Sequence, residues 1–250
     1  MRYLADLRQL LRGARFRQLF AVRLTSQASD GVFQVALASY VLFSPEEKPN
    51  AKAIAAGLAA LLLPFSALGP FAGVFLDRWR RRQVLFLANL LRLAPVAVIA
   101  VLIAADIKGV ALFVIVLVAL SVNRFLLAGL SAALPHVVSR RELVLANSVT
   151  PTSGTIAFTV GLGLASALRS VLPFAEPNVA IVLISGAGYL VAALLALRMP
   201  VDLLGPDHDE RPAPVRAELG HVVRGLGDGL RHLRERTVPA AALTVIAAHR

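Results

Sequence analysis

Residues 83–105, QVLFLANLLRLAPVAVIAVLIAA, form an apolar run of the length that crosses a lipid bilayer. A transmembrane helix needs about 20 mostly apolar residues to span about 30 Å of hydrocarbon. Inside this run the strongly polar side chains are those of Asn89 and Arg92. Five further runs have a similar length and are separated by short polar or Pro/Gly-containing turns. They cover residues 19–43, 53–76, 110–134, 148–171 and 178–199. The sequence therefore predicts six transmembrane helices.

The composition of the whole chain agrees with this interpretation. Of its 250 residues, 57% are hydrophobic and 16% are charged, and the mean hydropathy is +0.71. A soluble domain is about 45–50% apolar and about 25% charged. Strands of a membrane β-barrel would be about 10 residues long and would alternate strictly, which these runs do not. The predicted fold class is an all-α polytopic membrane protein.

The charge distribution predicts how the chain is oriented. A net charge of +11 can indicate nucleic-acid binding, but here the basic residues avoid the apolar runs and lie in the connections. If the N-terminus is cytoplasmic, the cytoplasmic connections up to residue 199 hold eleven Lys and Arg and the outer turns hold four. Cytoplasmic loops are the ones enriched in these residues. We therefore expect a multi-pass protein of the plasma membrane with a cytoplasmic N-terminus and no nucleic-acid partner.

These observations divide the chain into four predicted segments. Residues 1–18 form a basic cytoplasmic N-terminal segment, and residues 19–199 form the six-helix bundle, whose first helix is too long for a cleaved signal. Residues 200–236 form a cytoplasmic central loop that contains an amphipathic helix on the membrane surface. Residues 237–250 contain an apolar run, Val238 to Ala248, that is about half as long as a span, so we expect the chain to stop within a seventh transmembrane helix.

The connection between the second and third spans carries the most specific motif, GVFLDRWRRR at residues 73–82. A glycine at a helix end lets two helices approach closely in lipid. An acid there can pair with a nearby arginine or stabilise the N-terminus of a neighbouring helix. The residues predicted to form this conformational loop motif are Gly73, Asp77, Arg78, Arg81 and Arg82.

This pattern resembles the loop signature of the major facilitator superfamily: a glycine, three residues, an acid, a base, two more positions and a basic pair. Arg80 stands where the family usually has a second glycine. Residues 23–31 (RLTSQASDG) and 123–129 (NRFLLAG) resemble segments of the macrolide-efflux and siderophore-export proteins, which form one branch of this superfamily. The antiporter signature of the fifth span is not present in strict form.

The resemblance implies the N-terminal half of a twelve-helix secondary transporter embedded in the lipid bilayer. It implies proton-coupled export of small amphipathic molecules, such as drugs or siderophores, and a C-terminal half that completes the transporter. The alternative is a truncated or degenerate half that acts as a membrane scaffold or sensor without transporting. A reading frame that continues past Arg250 with six more spans would favour the first hypothesis.

Polar residues in the first and fourth spans predict where a transport site would lie. Arg23, Gln27, Asp30 and Gln34 share one helical face, and Asp30 lies near mid-span, where a charge costs at least about 2.5–3.5 kcal/mol. The resemblance implies that both spans line a central cavity, so that Asp30 faces Arg124. This pair has either a proton-coupling or substrate role, or a purely structural one. The predicted cavity residues are Asp30, Arg124, Gln27, Gln34 and Asn123.

The rest of the sequence shows no pattern that indicates catalysis or cofactor binding. The chain has no cysteine, its histidines lack metal-ligand spacing, and no catalytic set can be assembled. We therefore expect no enzyme activity, no metal site and no cofactor. Arg92 is expected to extend its side chain towards the cytoplasmic interface.

Overall fold

The structure of the protein is a computed structural model that describes residues 2–42, 79–107, 110–171 and 177–200. It also describes seven positions between 220 and 232. The described residues form helices, and no strand occurs among them. The helices of the first part are α1 (Arg2–Leu10), α2 (Ala14–Leu42), α3 (Arg81–Leu91), α4 (Leu93–Ala104), α5 (Val110–Ala133), α6 (Leu143–Val171) and α7 (Pro177–Leu197). A short 3₁₀ turn, Leu134–His136, follows α5.

The chain separates into two compact units, residues 1–208 and residues 209–250. In the second unit the seven described positions are helical, and the Arg224 Nε donates a hydrogen bond to the Gly220 carbonyl at 3.1 Å. The predicted second span, 53–76, and the predicted seventh span, 237–250, lie outside the described residues. The four predicted segment boundaries therefore stay predictions.

Four stretches of the described helices are long and apolar enough to cross a membrane. They are Arg81–Ala104, Val114–His136, Leu143–Val171 and Pro177–Leu197, which correspond to the predicted third to sixth spans. Helix α2 covers the predicted first span with 29 residues but is not among these four. Its polar stripe lowers the mean hydropathy of every window through it. Such a helix is stable in a bilayer when its polar face is buried by other helices or lines a cavity.

The predicted third span is interrupted at Arg92, between α3 and α4. Pro95 has no N–H to donate to the Leu91 carbonyl, and its ring crowds that carbonyl. The α-helical ladder is therefore broken one turn before the proline. The break gives Arg92 a position at the junction of two helices, where its side chain is 3% exposed.

Glycines allow α2 to pack closely against α6 and α7. A Cβ added at Gly161 of α6 would lie 2.0 Å from the Ala28 carbonyl oxygen of α2, and one added at Gly31 would lie equally close to the Phe158 carbonyl oxygen. A Cβ at Gly188 of α7 would lie 2.0 Å from the Ser29 hydroxyl. The backbones of α2 and α6 therefore approach this closely only because Gly31 and Gly161 lack a side chain, and Gly188 makes room for Ser29 in the same way. Small residues have this role at other helix crossings in membranes.

The apolar core has two layers, separated along α2. One layer contains Phe16 and Leu19 of α2, and the other contains Phe33 and Leu37. Between them α2 carries Ser26 to Asp30, and Ser26, Ser29 and Asp30 are all buried. The fold thus encloses a short polar segment between two apolar layers.

Candidate functional site

The Asp30 carboxylate lies at the centre of a buried polar cluster. Its Oδ1 atom accepts a hydrogen bond from the Tyr189 hydroxyl at 2.8 Å and forms an ion pair with the Arg92 guanidinium. Its Oδ2 atom accepts from the Gln27 Nε2 at 2.8 Å. Asp30 is only 7% exposed. One guanidinium and two neutral donors therefore contact the carboxyl group of Asp30.

Arg92 extends this cluster from α2 to the α3–α4 junction and α7. Its Nη1 donates to the Ser26 hydroxyl at 2.8 Å, and its guanidinium carbon lies 4.2 Å from the centre of the Tyr189 ring. Ser26 in turn donates to the Asn89 Oδ1 at 3.1 Å, and the Asn89 Nδ2 donates to a backbone carbonyl of α3. Hydrogen bonds to charged groups and a cation–π contact thus join three parts of the fold.

A small cavity of about 20 Å³ adjoins the carboxylate. Its polar wall is formed by Asp30, Arg92, Tyr189 and Asn123, and its apolar wall by side chains of α2, α4 and α5. The buried Asn123 Oδ1 has no hydrogen-bond partner in the described part of the chain. A space of this size is large enough for one water molecule, which needs about 10–15 Å³ and several polar neighbours. It is too small for an organic substrate.

The ion pair with Asp30 is made by Arg92. Arg124, which is partly exposed, interacts with the Asp30 charge electrostatically, and its predicted place in the transport cavity stays a prediction. The expectation that Arg92 extends towards the interface is wrong. The break at Pro95 lets the Arg92 side chain lie in the bundle interior, where Asp30, Ser26 and the Tyr189 ring surround it.

The structure brings together three of the five predicted cavity residues. Gln27 bonds to Asp30, and Asn123 lines the cavity next to it. Gln34 is exposed on the same face of α2. Sequence reasoning missed Tyr189, an aromatic residue with a hydroxyl in an otherwise apolar span, which is the signal that could have identified it.

The described end of the loop motif packs against α5 and the turn that follows it. Trp79 meets the Phe125 ring edge-on, with 6.5 Å between ring centres. Arg81 begins α3, is 9% exposed, and its Nη1 lies 3.0 and 3.2 Å from the two ring nitrogens of His136. Arg82, the next residue of α3, is half-buried. The other predicted motif residues, Gly73, Asp77 and Arg78, lie outside the described residues.

Comparison with known proteins decides the family. The sequence model of the Major Facilitator Superfamily matches residues 19–248. The chain belongs to this superfamily. The match confirms the family predicted from the loop motif, and it places the chain in a family of membrane transporters rather than enzymes. The narrower macrolide-efflux and siderophore-export branch stays a prediction.

Two curated relatives are similar over most of this chain. An uncharacterized MFS-type transporter of Mycobacterium bovis is 41% identical over 236 residues, 94% of this chain and 53% of the relative. An uncharacterized MFS-type transporter of Mycobacterium tuberculosis gives the same values. The chain therefore spans about half the length of the curated relatives it matches. No solved structure matches the chain at a significant level.

Proposed function

We propose that this chain is the N-terminal half of a secondary active transporter. In this proposal the complete protein lies in the plasma membrane with a cytoplasmic N-terminus, and it exports small amphipathic molecules in exchange for protons. Family membership and relatives named as transporters support transport. A second half is proposed because the relatives are about twice as long as this chain.

The buried Asp30 cluster is the observation that carries the proton-coupling part. Asp30 is the only acidic residue in the six predicted spans. Titratable side chains within transmembrane segments are expensive and mark proton or substrate pathways. Protonation would remove the negative charge that holds Arg92 and would leave a neutral acid among the same donors. Because the cluster joins α2, α7 and the α3–α4 junction, its state of charge acts on the packing of all three.

A transport cycle follows from this linkage. In one state Asp30 is ionised and bound by Arg92, and in the other it carries the proton and Arg92 is released from the ion pair. The proton binds from one side of the membrane and leaves to the other when the two halves rock around the central site. In this proposal Arg124, which interacts electrostatically with Asp30, is a second cation of the coupling site.

The test is Asp30→Asn in the full-length transporter, reconstituted in proteoliposomes with an imposed pH gradient. We expect proton-driven transport to be lost while substrate still exchanges passively, because asparagine keeps the shape of the site. Asp106→Asn is the matched control. Asp106 is an exposed acid at φ 51°, a backbone conformation that asparagine also tolerates, so transport should be unchanged.

Two results would contradict the proposal. If Asp30→Asn still transports against a gradient at the wild-type rate, Asp30 does not carry the proton. If the full-length wild-type protein moves no molecule of a broad amphipathic panel, the scaffold or sensor alternative takes its place.

A further inference from the structure

Arg23, on α2, is a buried cation that the proton-coupling cluster does not use. It is 8% exposed, and its Nε atom has no hydrogen-bond partner in the described part of the chain. A Cβ added at Gly154 of α6 would lie 3.0 Å from that nitrogen and 3.5 Å from the Gln27 side chain. The guanidinium therefore lies against a backbone that lacks a side chain, with Gln27 beside it.

The charge balance of the spans leaves Arg23 without a carboxylate. Away from their ends, the six predicted spans contain three arginines, Arg23, Arg92 and Arg124, and one acid, Asp30. The structure assigns the Asp30 carboxylate to Arg92. The predicted second span, 53–76, contains no acidic residue. Within this half, the membrane interior therefore carries an excess of positive charge.

An uncompensated arginine in the bilayer interior is unfavourable and is rare outside substrate and ion pathways. It persists where it faces a cavity or where a ligand supplies the negative charge. The guanidinium fork matches the two oxygens of a carboxylate, sulfonate or phosphate better than any other side chain does. The polar face that carries Arg23 also carries Gln34, which is exposed on the same side of α2.

We propose that Arg23 binds the negatively charged group of the transported molecule, and that the substrates are amphipathic organic anions. This inference rests on the proposed function, since it names the substrate class of that transporter. Gln27 connects the two sites, because it lies next to Arg23 and donates a hydrogen bond to Asp30. An anion on Arg23 would thus lie about two helical turns from the proposed proton carrier, on the same face of α2.

The experiment measures binding to the purified full-length transporter with three probes of one shape. They are naphthalene-2-sulfonate (anionic), naphthalene-2-sulfonamide (neutral) and 2-naphthyltrimethylammonium (cationic). We expect the sulfonate to bind at least tenfold more tightly than the other two. Arg23→Gln should remove this preference, and Arg23→Lys should retain part of it, since lysine keeps the charge but loses the fork. Arg141→Gln, at an exposed position, is the control and should bind as the wild type does.

A second measurement separates a binding role from a structural one. The unfolding temperature without probe should be no lower in Arg23→Gln than in the wild type, because Arg23 forms no ion pair with any residue that the structure describes. The proposal is overturned if no Arg23-dependent preference for the anion is found, whether the three probes bind alike or none binds. It is also overturned if Arg23→Gln is markedly less stable. Transport of the cation alone would refute the anion preference and leave the proposed function intact. Arg23-dependent binding of the anion without transport of any probe would support the anion site and refute the proposed function.

Discussion

The ion pair between Asp30 and Arg92 offers the most direct test of the structure. Arg92→Gln removes the cation from a carboxylate that is 7% exposed, and Asp30→Asn removes the anion from a guanidinium that is 2% exposed. Each change leaves one buried charge without its partner. If the pair exists as described, the two substitutions are strongly coupled and the double variant recovers much of what each single variant loses.

The expected size follows from the contacts that remain. Breaking a buried ion pair by removing one partner destabilises a protein by about 3–5 kcal/mol. In Arg92→Gln the carboxylate keeps Tyr189 and Gln27 as donors, and in Asp30→Asn the guanidinium keeps Ser26 and the Tyr189 ring. We therefore expect each single variant to lose about 3 kcal/mol of its free energy of unfolding, the lower end of this range. The double variant buries two neutral amides and should lose about 1–3 kcal/mol, the cost of imperfectly bonded polar groups.

The assay is reversible denaturant unfolding of the full-length transporter in micelles, for the wild type, both single variants and the double variant. The coupling free energy, which is the sum of the two single losses less the loss of the double variant, should reach at least about 3 kcal/mol, the upper end of the range for residues in contact. Arg141→Gln, exposed and away from the cluster, should change the stability by less than about 0.5 kcal/mol. If the two losses add to within about 0.5 kcal/mol, the side chains do not interact and the described cluster is wrong.

Three further predictions concern other parts of the chain. Gly161→Ala should sharply lower the amount of folded protein, because its Cβ would lie 2.0 Å from a backbone oxygen of α2. Gly163→Ala, with nothing within 4 Å, should be neutral or slightly stabilising, and equal amounts of both variants would contradict the close crossing. Asp77→Asn should reduce transport without preventing membrane insertion, and normal transport would remove the support for a conformational role of the loop motif. A single cysteine at Asn50 should react with an impermeant reagent added outside whole cells and one at the exposed Arg140 should not; the opposite pattern would reverse the proposed orientation.

The apolar spans and the family could be predicted without coordinates because they depend on local sequence. Whether a segment such as 178–199 crosses a bilayer depends on its length and on the summed hydropathy of its own residues, and the structure contains a matching helix, Pro177–Leu197. The loop motif at residues 73–82 is also a local feature; its resemblance to the superfamily signature predicts the family, and the match over residues 19–248 confirms it. Helical spacing also predicts that Asp30 and Gln27 share one face of the first span, and in the structure Gln27 donates a hydrogen bond to Asp30.

The partner of Asp30 could not be predicted in this way, because it depends on which helices meet and at what depth. Arg92 and Arg124 are both interior arginines, and from the sequence Arg92 was expected to extend towards the cytoplasmic interface instead of towards Asp30. Two features of the folded chain bring Arg92 and Tyr189 to Asp30. The break before Pro95 places Arg92 at a helix junction, and the glycine crossings bring α2 close enough to α6 and α7 for Tyr189 to reach the same carboxylate oxygen. Hydropathy and helical spacing are properties of one segment and are present in the sequence, whereas an ion pair between distant segments exists only once several helices have packed.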